Sequence, residues 1–146
     1  MRLRRATLAA AVLLGVIAAG CGSTASPSPQ VTAVERTVSA SLSDLSRADG
    51  RAFCSMMTAA GRYRLAHTVH GYSCASLMST IALNLSSEQR AALAHVAVSG
   101  VIVHGGTALV SVNDLHLSDA VEGAFSAKTG PTELIRVSHN TWRIAA

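Results

Sequence analysis

The segment Val101 to Val110 reads V-I-V-H-G-G-T-A-L-V, and it marks the change from helical to extended structure along this chain. Apolar residues flank Gly105-Gly106 in alternating patterns, and two glycines can both take the positive φ angles of a tight turn. The segment therefore predicts a β-hairpin within an extended region from Val96 to Asn113, with Val103 opposite Ala108. Because both faces of the pair are partly apolar, we expect it to lie in the interior of a sheet.

A second hairpin is predicted near residue 146, with His139-Asn140 as a two-residue turn. The register that this turn predicts pairs Val137 with Trp142, Ile135 with Ile144, and Arg136 with Arg143. The two arginines would be like charges facing each other across strands, which is unfavourable without an anion or an acidic neighbour. One more strand is expected around Gly123 to Ala127.

The first half of the chain has the periodicity of helices. Apolar residues recur every three or four positions from Val31 to Ala48, which predicts an amphipathic first helix. The residues predicted to cap later helices are Asp49, Ser73 and Ser86, the last followed by Gln89 as in a capping box. We expect the second helix to end at Gly61 and the segment from Arg62 to Tyr72 to be irregular. Helices followed by antiparallel strands predict an α+β fold, with N-terminal helices packed on a curved antiparallel sheet.

The N-terminal stretch predicts export and lipidation. Three arginines precede the apolar run from Leu8, and the run ends at Ala18-Ala19-Gly20-Cys21, which resembles a bacterial lipobox. We expect residues 1–20 to be a signal peptide and Cys21 to carry the lipid. Residues 21–30 then form a flexible Ser/Pro tether, and residues 31–146 form a single domain. The predicted location is the extracytoplasmic face of the cell membrane.

The cysteine count fits that compartment. Of the three cysteines, Cys21 is assigned to the lipid, which leaves Cys54 and Cys74 as a pair outside the cytoplasm, where disulfides persist. A bridge across about 20 residues would stabilise the fold by roughly 3 kcal/mol in the chain-entropy model. We therefore predict a structural disulfide.

Several stretches together resemble a known family. They are A-D-G-R-A-F-C from residue 48, S-S-E-Q-R from residue 86, V-x-G-V-x-V-H-G-G-T-A-L-V from residue 98, and E-L-I-R-V-S-H-N-T-W-R-I from residue 133. In this order they resemble small actinobacterial lipoproteins of the nuclear transport factor 2-like (SnoaL-like) superfamily. The resemblance implies a cone-shaped fold with a pocket between sheet and helices. Some members of the superfamily are isomerases or dehydratases, but none of their catalytic motifs matches residues of this chain, so it implies a pocket and no particular reaction.

Four polar residues are candidates for groups facing that pocket: Tyr63, Tyr72, Asp44 and His95. A tyrosine with an aspartate could supply a donor and a base next to a substrate carbonyl. The alternative is that the tyrosines pack their rings over the disulfide with their hydroxyls in water. No spacing fixes a nucleophile, a base and an orienting group together, so we assign no catalytic residue.

Charge and composition exclude other classes of function. Removing the three signal arginines leaves nine basic residues of the original 12 against 8 acidic ones, which is no basis for nucleic-acid binding. His67 and His70 are spaced like the start of a metal site, but no third ligand is evident, so we expect neither metal nor cofactor. We predict that the protein is a non-catalytic accessory module that binds a small apolar ligand or an envelope protein. A small enzyme acting on a hydrophobic metabolite and a ligand-free homodimer are the alternatives.

Overall fold

The computed structural model describes residues 27–122 and 132–145, which form an α+β fold with helices first and antiparallel strands after them. In chain order the elements are α1 Pro29–Ser46, α2 Gly50–Ser55, α3 Ala59–Thr68, α4 Cys74–Asn84, α5 Ser87–Leu93, β1 Ala97–Val98, β2 Ile102–His104, β3 Thr107–Val110, a 3-10 helix Val112–Asp114, β4 Leu115–His116, α6 Asp119–Glu122, β5 Thr132–Ser138 and β6 Thr141–Ile144. The strand predicted around Gly123 to Ala127 lies outside the described residues.

The first helix is confirmed, and its buried stripe is the one that the periodicity predicts. The Oγ of Ser28 accepts a hydrogen bond from the backbone N–H of Val31, and Pro29 occupies the first turn, where its missing N–H costs nothing. The apolar side chains of the inner face are buried: Val34, Val38, Leu42 and Leu45. This face forms one wall of the hydrophobic core.

Helices α2 and α4 pack closely and are joined by the predicted disulfide between Cys54 and Cys74, which is confirmed. Asp49 caps α2 and Ser73 caps α4, both as predicted. At the N-terminus of α2, Gly50 lies so near the first turns of α4 that a β-carbon there would come within 2.0 Å of the carbonyl oxygen of Ala75. The glycine is therefore what allows the two helices to approach.

The segment after α2 differs from the prediction. Gly61 does not end a helix: it lies inside α3, and the expected irregular segment is helical as far as Thr68. Thr58 begins this helix, since its Oγ1 accepts from the N–H of Gly61 at 2.9 Å. A β-carbon on Gly61 would lie 2.7 Å from the carbonyl oxygen of Ala145, so this glycine is required for close packing rather than for a turn.

The central hairpin is confirmed in its turn and register but not in its place. Val103 pairs with Ala108, and four strands form a sheet in the order β2-β3-β5-β6. Among the strands that the structure describes, β2 is therefore at the edge, and the predicted interior position holds for β3. The extended region also breaks after β1, because Gly100, between β1 and β2, has a φ of 80°. β1 pairs instead with β4 in a separate small sheet. The apolar residues on the second face of this hairpin, Ile102 and Leu109, are about half exposed. An apolar second face therefore did not indicate an interior strand pair.

The C-terminal hairpin has its predicted turn, but a bulge changes the register. Ser138 pairs with Thr141, and the pairing then shifts by one residue between Arg136 and Ser138. The observed pairs are Arg136 with Trp142, Ile135 with Arg143 and Leu134 with Ile144. The expected Arg136–Arg143 pair is wrong, since one extra residue in β5 moves every later partner. Arg143 instead donates a hydrogen bond to the carbonyl of Ser55.

The last strand is also held from the helical side. The backbone N–H of Ile144 donates to the carbonyl of Met56 at 3.0 Å, and the N–H of Thr58 donates to the carbonyl of Ile144 at 2.9 Å. Arg64 adds a hydrogen bond from its guanidinium to the carbonyl of Ala145 at 2.6 Å. The segment between α2 and α3 thus pairs with the outer edge of β6.

Candidate functional site

A cavity lies where the inner face of α1 meets the ends of the strands. Its volume is about 360 Å³. The lining residues come from α1, the α2–α4 region and the strands with the 3-10 helix: Val38, Ser41, Leu42, Leu45, Phe53, Met57, Leu65, Met78, Val110, Ser111, Val112, Leu115, Thr132 and Ile144. Volumes of 300–1,000 Å³ are typical of small-molecule sites, so this cavity is at the small end of that range.

The lining is almost entirely apolar. Eleven of the 14 residues have hydrocarbon, aromatic or thioether side chains, and none of the 14 is charged. Of the three polar residues, Ser41 is already satisfied, because its Oγ donates to the carbonyl of Val38 within its own helix at 2.7 Å. The other two polar lining residues are Ser111, whose side chain also takes part in the capping box of the 3-10 helix, and Thr132.

These two residues mark one end of the cavity. Thr132 pairs with Val110 across the β3–β5 ladder, and Ser111 follows Val110 directly. Thr132 is exposed and Ser111 is half-buried, whereas Val38, Leu42 and the rest of the α1 wall are buried. The cavity is therefore more accessible beside Thr132 than along the buried α1 wall.

Asp44 does not line this cavity. Its carboxylate is paired with Arg47, and the side chain is only 10% exposed. Loss of hydration through burial raises the pKa of Asp44 above its ordinary value, the guanidinium of Arg47 opposes this, and Asp49 adds a smaller raising effect. The pairing holds this aspartate to its own helix, where it has no contact with the apolar space.

The other three predicted pocket residues also lie away from the cavity lining. Tyr63 is 64% exposed and stacks on His67, with 3.8 Å between the ring centroids, and Tyr72 is 43% exposed. His95 is exposed at the end of α5. The structure thus does not bring the four candidates together around this space.

Leu65, Ser111 and Thr132 were missed at the sequence level. Leu65 reaches the cavity from α3, a helix that the pattern did not reveal. Ser111 and Thr132 are ordinary strand-end residues, and only the pairing of β3 with β5 shows that they are neighbours. A register prediction for that strand pair was the signal that could have found them.

A serine and a histidine make a short hydrogen bond elsewhere on the surface. The Oγ of Ser99 and the Nε2 of His116 are 2.6 Å apart across the β1–β4 pair. Both side chains are exposed, and the pair stands outside the cavity described above. A catalytic serine needs a base that is in turn oriented by a third group, and the hydrogen bond recorded for His116 in the described residues is the one to Ser99.

Within residues 27–122 and 132–145, no cluster of three or more His, Cys, Asp or Glu side chains is arranged to hold a metal ion. Over those ranges, no helix has both the length and the apolar character needed to span a bilayer.

Comparison with known proteins gives no relative: no family model matches the chain, and no curated protein and no solved structure matches it. The resemblance to the nuclear transport factor 2-like superfamily therefore stays a prediction, and function has to be argued from the cavity itself.

Proposed function

We propose that this protein is a lipid-anchored binding module of the cell envelope, whose cavity takes a small apolar ligand. The observation that supports this is the cavity between α1 and the sheet, with its uncharged and mostly hydrocarbon lining. Burial of apolar ligand surface is the main source of affinity in such a site, and one or two polar contacts set the orientation.

The lining favours binding over acid–base catalysis. It contains no histidine, aspartate, glutamate, cysteine, tyrosine or lysine among its 14 residues. Proton transfer requires such a group within hydrogen-bond reach of the substrate. The carboxylate that the sequence offered as a base, Asp44, is instead paired with Arg47 outside the lining.

The binding part of the proposal can be tested with 1-aminonaphthalene, a neutral fluorescent probe small enough for a cavity of about 360 Å³, and the purified chain carrying Cys21→Ala, which has no attached lipid to compete. We expect probe fluorescence to rise on binding and Val38→Phe or Val112→Phe to weaken binding at least tenfold, since a phenyl group at either lining position takes up part of the cavity. Val112 is half-buried, so its variant tolerates the larger ring if Val38→Phe does not fold.

The matched control is Val137→Phe, the same change at a residue that is 52% exposed and does not line the cavity. It should bind the probe as the parent does. Equal binding by all three folded variants, or no binding by the parent, would refute a ligand site in this cavity.

The anchoring part is tested separately. Protein expressed with its own N-terminus should sediment with membranes and carry acyl mass on Cys21, and Cys21→Ala should abolish the acyl mass. Wild-type protein recovered without acyl mass at that residue would overturn the anchor and leave the cavity argument untouched.

A further inference from the structure

We propose that the ligand is a single unbranched acyl chain with an uncharged polar head, bound with the head between Ser111 and Thr132. This inference rests on the proposed binding function and names the ligand class for the same cavity. Three properties of the lining carry it: its volume, its lack of charge and the position of its polar end.

The volume limits the ligand to one short chain. At about 30 Å³ for a water molecule, 360 Å³ holds the equivalent of roughly twelve waters. A methylene group needs a similar space, so the cavity accommodates about a dozen heavy atoms. That is enough for one chain of ten to twelve carbons and too little for a two-chain lipid or a large polycyclic molecule.

The side chains suit a flexible chain better than a ring. Among the lining residues that the structure describes, Phe53 is the one aromatic, so these residues offer no pair of rings to sandwich a planar ligand. Met57 and Met78 line the cavity as well, and the unbranched thioether side chain adapts to irregular apolar shapes. Leu42 and Leu45 complete the wall on the α1 side.

The absence of charge from the lining selects the head group. A carboxylate or an ammonium group taken into this space would lose hydration, and none of the 14 lining residues in the described part of the chain carries an opposite charge to replace it. A hydroxyl or an ester can instead exchange water for the hydroxyls of Ser111 and Thr132. Because Thr132 is exposed, this end also allows the head of a longer molecule to remain in water.

Displacement of the bound probe 1-aminonaphthalene by primary alcohols tests the chain. We expect each added methylene to tighten binding about fourfold, from hexanol to roughly dodecanol, and the gain to stop where the cavity is full. Dodecanol should bind at least tenfold more tightly than cyclododecanol, and more tightly than either dodecanoate or dodecyltrimethylammonium. A flat series, or tighter binding of the cyclic alcohol, would overturn the acyl-chain assignment.

The head position is tested with Thr132→Val, which keeps the shape of the side chain and removes its hydroxyl. Loss of one hydrogen bond should weaken decanol binding by about two- to tenfold and leave the affinity for the probe unchanged. Unchanged decanol affinity in Thr132→Val and in Ser111→Ala would refute the placement of the head.

The two levels of the proposal fail differently. If the probe binds and Val38→Phe blocks it, but alcohols show no dependence on length, the cavity is a ligand site and the acyl-chain inference is wrong. If neither the probe nor any alcohol binds to the folded protein, the proposed function is wrong as well.

Discussion

Replacing Gly50 with alanine should be among the most damaging single-methyl changes in this protein. The added β-carbon would lie 2.0 Å from the carbonyl oxygen of Ala75 and 2.7 Å from the Oγ of Ser79, both on α4. A carbonyl oxygen of a helix cannot move aside as a flexible side chain can, so α2 must shift away from α4. Overpacking of this kind costs about 1–3 kcal/mol.

The shift would also break a short hydrogen-bond relay. The N–H of Gly50 donates to the Oγ of Ser79 at 3.1 Å, and that hydroxyl donates to the carbonyl of Ala48 at 2.9 Å. Each bond contributes about 1 kcal/mol. Alanine recovers at most about 1 kcal/mol from its better helix propensity, and less at the first residue of a helix. The net expected loss in the free energy of unfolding is about 2–4 kcal/mol.

Urea denaturation followed by circular dichroism measures this effect. With a slope of about 2 kcal/mol per molar urea, the midpoint should fall by roughly 1–2 M. Gly106→Ala is the control, because nothing lies within 4 Å of a β-carbon at that position, and it should stay within about 0.5 kcal/mol of wild type. A Gly50→Ala protein as stable as the control would refute the close approach of the two helices.

Three further predictions concern stability. Replacing Cys54 and Cys74 together with alanine should lower the free energy of unfolding by about 2–4 kcal/mol, because the bridge closes a loop across 20 residues. A change smaller than about 0.5 kcal/mol, the size typical of a surface substitution, would contradict this. Asp44→Asn should raise the urea midpoint at pH 7 and lose this advantage in acid. The raised pKa of Asp44 means that the folded protein favours the neutral carboxyl. The stabilisation by the neutral carboxyl is therefore fully present below the ordinary pKa of 3.8 and is lost as the pH rises through the folded-state pKa. A lower midpoint for Asp44→Asn at pH 7 would show that the pairing with the neighbouring arginine outweighs burial. Ala48→Gly should stabilise the protein by up to about 1 kcal/mol, since Ala48 has a φ of 55°. Gly105→Ala, at a φ of 59° with no close neighbour, should destabilise the protein by a similar amount. Melting temperatures of the two variants that shift in the same direction would refute the role of backbone strain.

Features encoded within a few residues could be predicted from the sequence. The caps at Asp49, Ser73 and Ser86 depend on a side chain reaching an N–H two or three residues away, and all three are observed. The turn at Gly105-Gly106 is equally local. The disulfide was predictable for a different reason, namely that two cysteines remained once Cys21 had been assigned.

Features that depend on distant partners could not be predicted. A glycine such as Gly61 commonly ends a helix, so the sequence predicted an end there. Its close packing against Ala145 depends on the folded structure. No sequence pattern indicated the bulge between Arg136 and Ser138, yet the bulge reverses which residues of β5 face the core. Val137, expected on the apolar face, is 52% exposed for that reason.

The candidate site followed the same rule. A pocket between the first helix and the strands was expected, and a cavity is found there, but the polar residues chosen for it were not the ones that line it. Tyrosine, histidine and aspartate attract attention because their chemistry is versatile. Ser111 and Thr132 have unremarkable chemistry, and their importance comes only from the β3–β5 register.

The pairing of β6 with Met56–Thr58 has a consequence for the order of assembly. A polypeptide emerges from its N-terminal side, so the helices and both bridging cysteines precede β6, the last element that the structure describes. Until Thr141 to Ile144 arrive, the backbone of Met56 and Thr58 and the edge of β5 both lack the partner that they share. Open edges of this kind recruit other chains. A product terminated before Thr141 should therefore aggregate or be degraded even with its disulfide formed, because the two edges that β6 covers would stay open.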